Sequence, residues 1–169
     1  MSDPKKDRTV LIGIGNPILS DDGAGIYTAR AIKEFLKDSN RWKVDVVESS
    51  VAGLELIDLV EGYGRAILID SMKTGGAHSG QIYKINIAEL NERDDPLNLH
   101  LIGIRGVLDL GKRMEREMPD SVSIYAIEVV DNTTFSEELT PEIKKRIPDL
   151  VAQVIEDIKI SAEFTPLLH

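Results

Sequence analysis

A chain of 169 residues with 20 Lys+Arg against 29 Asp+Glu carries a formal charge of −9, with three His, one Trp and no Cys. That length suits one domain able to bury its own core, so residues 1–169 are expected to form a single α/β unit with short tails at 1–8 and 161–169. Without cysteine there is no disulfide, thiolate metal site, iron–sulfur cluster or cysteine nucleophile, and any metal must be held by oxygen and imidazole.

The acidic surplus disfavours binding to a phosphate backbone, which rests on Lys and Arg displacing counterions, so nucleic acid is not an expected partner. A charge of −9 serves solubility, or else matches a basic protein surface. The opening MSDPKKDRTV lacks the apolar stretch of a signal peptide, and no run approaches the ~18 apolar residues of a membrane span. A cytoplasmic, monomeric protein with no membrane partner is the expectation.

In chain order, Thr9 to Gly15 is a continuous apolar run ending in glycines, as a buried parallel strand requires. Apolar residues at helical spacing then run from Ala24 to about Lys37. Val44–Val47 reads as a strand, Gly53–Val60 as a short helix and Arg65–Asp70 as a third strand. Ser71–Ser79 is loop, Gln81–Ile85 an alternating strand and Asn91–Pro96 a polar turn. A long helix is predicted from His100 to Met118, a strand over Val122–Ile127, and a helix opened by Thr140-Pro141 that reaches about Lys159. Strands alternating with helices predict a three-layer α/β/α sandwich with a mostly parallel twisted sheet, phosphorylase/hydrolase-like in architecture.

Sites in such folds lie beyond the carboxyl ends of the strands. The first such place is Gly13-Ile-Gly15-Asn16-Pro17, followed by Ser20-Asp21-Asp22-Gly23-Ala24-Gly25. It is not a dinucleotide fingerprint: Ile18 occupies the third glycine position, and two acids at a helix start repel phosphate. Asp21 and Asp22 read either as helix caps or as one cap and one carboxylate aimed into a cleft. The second place is Asp70, at the end of a buried strand, where a carboxylate is costly unless exposed, hydrogen-bonded or bound to a cation. The third is His100 at a helix start, where the dipole favours neutral imidazole. His78 and His169 have no comparable position. Two carboxylates and an imidazole suit a borderline divalent ion such as nickel or zinc, or the activation of a water for hydrolysis.

These residues resemble the [NiFe]-hydrogenase maturation endopeptidases: Gly13-x-Gly15-Asn16-Pro17-x-x-x-Asp21-Asp22-Gly23-x-Gly25, Leu68-Ile69-Asp70, His100 with Gly103 and Leu108, and Ile127-Glu128. The resemblance spans Val10 to about Ile158 and implies an α/β/α protease. Its reaction would be removal of the C-terminal extension of a hydrogenase large-subunit precursor after nickel insertion. It implies further that Asp22, Asp70 and His100 are the metal-binding and catalytic set. The nickel would be borne by the substrate, with zinc or another divalent ion able to take its place. Asp22 is one methylene shorter than the Glu of some family members, and the Ser-Pro that often precedes the family histidine is replaced by Asn98-Leu99. Metal-assisted and aspartic-type hydrolysis both remain open. Gly13, Gly15 and Gly25 would serve backbone packing, Asn16 would fix its loop, and Glu128 would orient substrate or a neighbouring loop.

Two rival readings differ in class. The Gly13-to-Pro17 string is similar to the opening of peptidyl-tRNA hydrolases, which want a basic face and a His-Asn pair where this chain has Asp21-Asp22-Gly23. A chaperone-like domain that senses nickel in the precursor without cutting it is the non-catalytic alternative.

Overall fold

The computed structural model describes residues 5–38, 40–50, 53–75, 78–90 and 96–163, and the side chains of 40, 96–100 and 163 lie outside that description. Five strands form one sheet in the order β2-β1-β3-β5-β4, where β1 is Thr9–Ile14, β2 Val44–Ser49, β3 Arg65–Met72, β4 Ile82–Asn86 and β5 Ser121–Glu128. β1 pairs parallel with β2 and β3, β3 pairs parallel with β5, and only β4 is antiparallel among the described strands. The mostly parallel sheet is therefore as expected.

Strand parity sorts the core into two halves. Val10, Ile12 and Ile14 of β1, Ala66 and Leu68 of β3, and Ile124 of β5 pack with Leu56 and Val60 of α2 (Glu55–Val60) and Leu101, Ile104 and Leu108 of α3 (Pro96–Arg113). The alternate residues Leu11, Ile67, Ile69, Tyr125 and Ile127 pack with Ala29 and Ile32 of α1 (Ala24–Leu36) and Ile143, Leu150 and Val154 of α4 (Pro141–Glu163). Helices cover both faces, as unbroken apolar strands require, giving the three-layer α/β/α arrangement.

β1 leads through α1 to β2 on one side, whereas β3 leads away toward β4 and β5 on the other. The topological switch therefore lies between the carboxyl ends of β1 and β3, the place where such sheets open a crevice. Asp22 follows the first of these strands and Asp70 lies near the end of the second.

Several boundaries differ from expectation. α3 starts at Pro96 rather than His100, because proline needs no N–H partner at a first helical position. It ends at Arg113 rather than near Met118. There Glu115 takes a left-handed conformation (φ 58°) and Arg116 N–H returns to Gly111 O at 3.1 Å, closing the helix without the glycine that usually signals such an ending. β3 runs two residues into the expected loop, to Met72.

Of the expected tails, residues 5–8 and 161–163 are among those described. Arg8 pairs with Asp45, Lys6 with Asp120 at 3.1 Å, and α4 continues through residues 161–163. Residues 1–4, 91–95 and 164–169, and with them most of the predicted 91–96 turn and His169, lie outside the described residues. Among the described residues, no helix is long and apolar enough to cross a membrane.

Candidate active site

Beyond Ile14 the chain reverses tightly. Gly15 sits at φ 144°, and a Cβ there would lie 1.9 Å from the Asp22 carbonyl oxygen, so neither the conformation nor the space admits a side chain. The loop then folds back on itself: Asn16 N–H donates to Asp22 Oδ2 at 2.8 Å, and Asn16 Oδ1 accepts from Ile18 N–H at 3.2 Å. Asn16 thus fixes its own loop and the orientation of Asp22. Gly25, in the first turn of α1, brings that helix against both strand ends, since a Cβ would meet Ile14 O at 2.3 Å and Ile69 O at 2.4 Å. Gly13 gives the same close approach from the strand side, against Ala29.

Neither acid caps α1, contrary to both sequence readings, each of which made at least one of them a cap; the part of the second reading that holds is the carboxylate of Asp22 at the cleft. Ser20–Gly23 is a 3-10 turn running straight into the helix, and the N-cap position is Gly23 with no side-chain cap bond. Because the turn's own carbonyls receive the first helical N–H groups, both carboxylates are left for other partners. Asp21 is fully buried. Its Oδ1 accepts from Thr140 N–H at 2.7 Å, and its Oδ2 from Thr140 Oγ1 at 2.9 Å, Asp131 N–H at 3.0 Å and Val130 N–H at 3.2 Å. It clamps the segment between β5 and α4 onto the first motif. Asp131, at the start of that segment, accepts from Thr133 and Thr134 N–H at 3.0 Å each, and hydrogen bonds from these threonines hold its carboxyl well below the usual range.

Asp22 and Asp70 line one cleft of about 360 Å³. Ser71 joins them: its hydroxyl donates to Asp22 Oδ1 at 3.3 Å and its backbone N–H to Asp70 Oδ1 at 2.8 Å. Asp70 is 7 % exposed and lines the cleft. Ser71, Lys73, Thr74 and Asn132 also line this cleft, and none was singled out from the sequence. The usable signal was adjacency, since Ser71, Lys73 and Thr74 lie at or just beyond the end of β3 and Asn132 lies shortly after β5.

Glu128 does orient a neighbouring loop. It is 2 % exposed and accepts from Thr74 N–H at 2.8 Å, Thr74 Oγ1 at 3.0 Å and Gly75 N–H at 3.2 Å. His100 lies in the first turns of α3, one helical turn ahead of Ile104, and its side chain is outside the described residues. His78 is exposed in the loop before β4. Among the described residues, no three His, Asp or Glu side chains gather into a group able to hold a metal ion. The arrangement in hand is a pair of carboxylates, coupled through one serine, at the switch point of a parallel sheet. Such a pair can hold a divalent ion presented to it or share a proton around a water.

A family model described as "HycI: Hydrogenase maturation protease" matches residues 26–157. The chain belongs to the hydrogenase maturation protease family. Membership makes it a hydrolase. Among curated relatives, the hydrogenase expression/formation protein HupD of Thiocapsa roseopersicina is 25% identical over 158 residues, covering 92% of this chain and 68% of the relative. The fold is shared with the hydrogenase maturating endopeptidase HybD from E. coli, at a TM-score of 0.70 and 20% identity over 91% of this chain and 93% of that one. It is shared also with the [NiFe] hydrogenase maturation protease HybD from Thermococcus kodakarensis, at a TM-score of 0.64 and 19% identity over 89% and 99% of the two chains.

Proposed function

We propose that this hydrolase removes the C-terminal extension of a [NiFe]-hydrogenase large-subunit precursor, and that nickel already seated in the precursor is its recognition element. The observation that carries this reading is the pairing of Asp22 and Asp70 in one cleft, each oriented by a hydrogen bond from Ser71. Oxygen donors with one imidazole, His100, suit a borderline divalent ion, and three protein ligands leave coordination positions to the groups that bring the metal. Such a set engages a nickel-bearing surface without having to strip it.

In this mechanism Asp22, held by Asn16 N–H and the Ser71 hydroxyl, and Asp70, held by Ser71 N–H, face the docked precursor as preset acceptors. Docking of the metal against them fixes the register of the chain that follows, so the scissile bond enters the cleft only when loading has succeeded. A substrate-borne nickel also lends positive charge at the place where water attacks, and the nearby carboxylates can take the proton that water releases.

The direct test is intact-mass spectrometry of a nickel-loaded precursor incubated with the purified protein. Shortening at the C-terminus alone is expected. An unchanged mass, with stable binding of the two proteins, would contradict proteolysis and favour the sensing role.

A further inference from the structure

We propose that Lys73 is a specificity-determining residue of the cleft, pairing with a carboxylate of the precursor segment that lies across Asp22 and Asp70; this rests on the reading of the cleft as the precursor's cutting site. Lys73 is the one basic residue among the described residues lining a cleft that otherwise offers carboxylates and neutral groups.

Its backbone is held from both sides. Just before it, Met72 O accepts from Val129 N–H at 2.9 Å, carrying the pairing of β3 and β5 to the cleft edge. Just after it, buried Glu128 spends three hydrogen bonds on Thr74 and Gly75. Burying a carboxylate is costly, and here the group's whole described polar output goes into fixing the two residues that follow Lys73. A loop pinned in this way presents its exposed lysine from a set position.

The chain has more acids than bases, and several of its basic residues take up carboxylate partners, among them Arg8 with Asp45, Arg30 with Glu48, Arg65 with Asp157 and Arg116 with Glu61. Among the described residues, no ion pair engages Lys73. Its cleft neighbours Asp22 and Asp70 are oriented instead toward Ser71 and, for Asp22, Asn16. A cation carried on a pinned loop beside two carboxylates divides the cleft electrically: the acids receive the metal, and the lysine receives an acidic side chain flanking it. A precursor with the opposite arrangement meets like charges on both sides, which selects against it.

The test is steady-state cleavage of the nickel-loaded precursor by the wild-type protein and by Lys73→Ala, Lys73→Arg and Lys73→Glu, at low and high salt. We expect Lys73→Ala to raise KM about tenfold with kcat changed less than about twofold, and to remove most of the salt dependence of KM. Lys73→Arg should restore both, and Lys73→Glu should raise KM further. Wild-type KM and salt dependence in Lys73→Ala would overturn the pairing while leaving the proteolytic reading intact. A fall in kcat at constant KM would also overturn it, placing the lysine at the reacting carbonyl instead. No cleavage by the wild-type protein refutes the proteolytic reading, and the pairing falls with it.

Discussion

Ser71 donates its hydroxyl to Asp22 Oδ1 across 3.3 Å, tying the loop after β1 to the end of β3. With its N–H on Asp70, one residue sets two acceptors, one in the turn before α1 and one in β3. Asp70→Asn keeps an oxygen for the Ser71 N–H and removes the charge, while Asp22→Asn removes the charge and keeps one acceptor oxygen for Asn16 N–H, its amide being able to donate to the Ser71 hydroxyl. Each variant should lose processing on the order of 100-fold or more, with thermal unfolding shifted by less than about 3 °C. Gel-based cleavage alongside calorimetry checks both halves, and full activity in either variant would remove that residue from the site.

Asp21 should matter for stability instead. Asp21→Ala leaves the N–H groups of Val130, Asp131 and Thr140 without their acceptor in a buried place, at a cost of about 3 kcal/mol or more. Asp21→Asn, which retains one acceptor oxygen, should cost less. Urea unfolding would decide it, and a loss under about 1 kcal/mol in Asp21→Ala would show that the clamp is dispensable.

The helix-to-strand approach at Gly25 leaves no room for a methyl group. Gly25→Ala sets its Cβ 2.3 Å and 2.4 Å from two backbone carbonyl oxygens that belong to different strands, so the helix must move away. Destabilisation of about 3 kcal/mol is expected, with activity lost at temperatures where the protein remains folded. Wild-type stability and turnover in Gly25→Ala would show that the approach can relax.

Acid stability should depend on Asp157. Burial raises its pKa, but Lys84 at 2.9 Å and Arg65 at 2.7 Å outweigh that, and the net shift is downward from 3.8. A carboxyl with a depressed folded pKa adds stability that is fully present above the unfolded value near 3.8 and is lost as pH falls through the folded value. The unfolding free energy of Asp157→Asn should therefore fall less steeply than that of the wild type below about pH 4. Identical acid limbs would contradict the assignment.

The strands and their order of appearance could be read from the sequence because Val10–Ile14, Ala66–Ile69 and Val122–Ile127 are apolar runs too short for helices and are buried on both faces. Asp22 and Asp70 could be read because strand ends are where such folds place chemistry. Asp21 could not, since its partners lie 109 to 119 residues away and its local context is that of a helix cap. The end of α3 was hidden for a related reason. Glu115 supplies the left-handed turn that a glycine ordinarily announces, and Met118 folds back over Gly111 while keeping the spacing of a continuing helix. Ser71 and Lys73 carry no pattern of their own, and their place follows only from where β3 stops.

The proposed role of Asp22 and Asp70 is recognition of metal in the precursor. It is tested most directly by incubating the purified protein with the same precursor in nickel-loaded and metal-free forms and measuring the rate of C-terminal shortening. Cleavage of the loaded form, with the metal-free form left intact, is the predicted result; equal rates on both would contradict it.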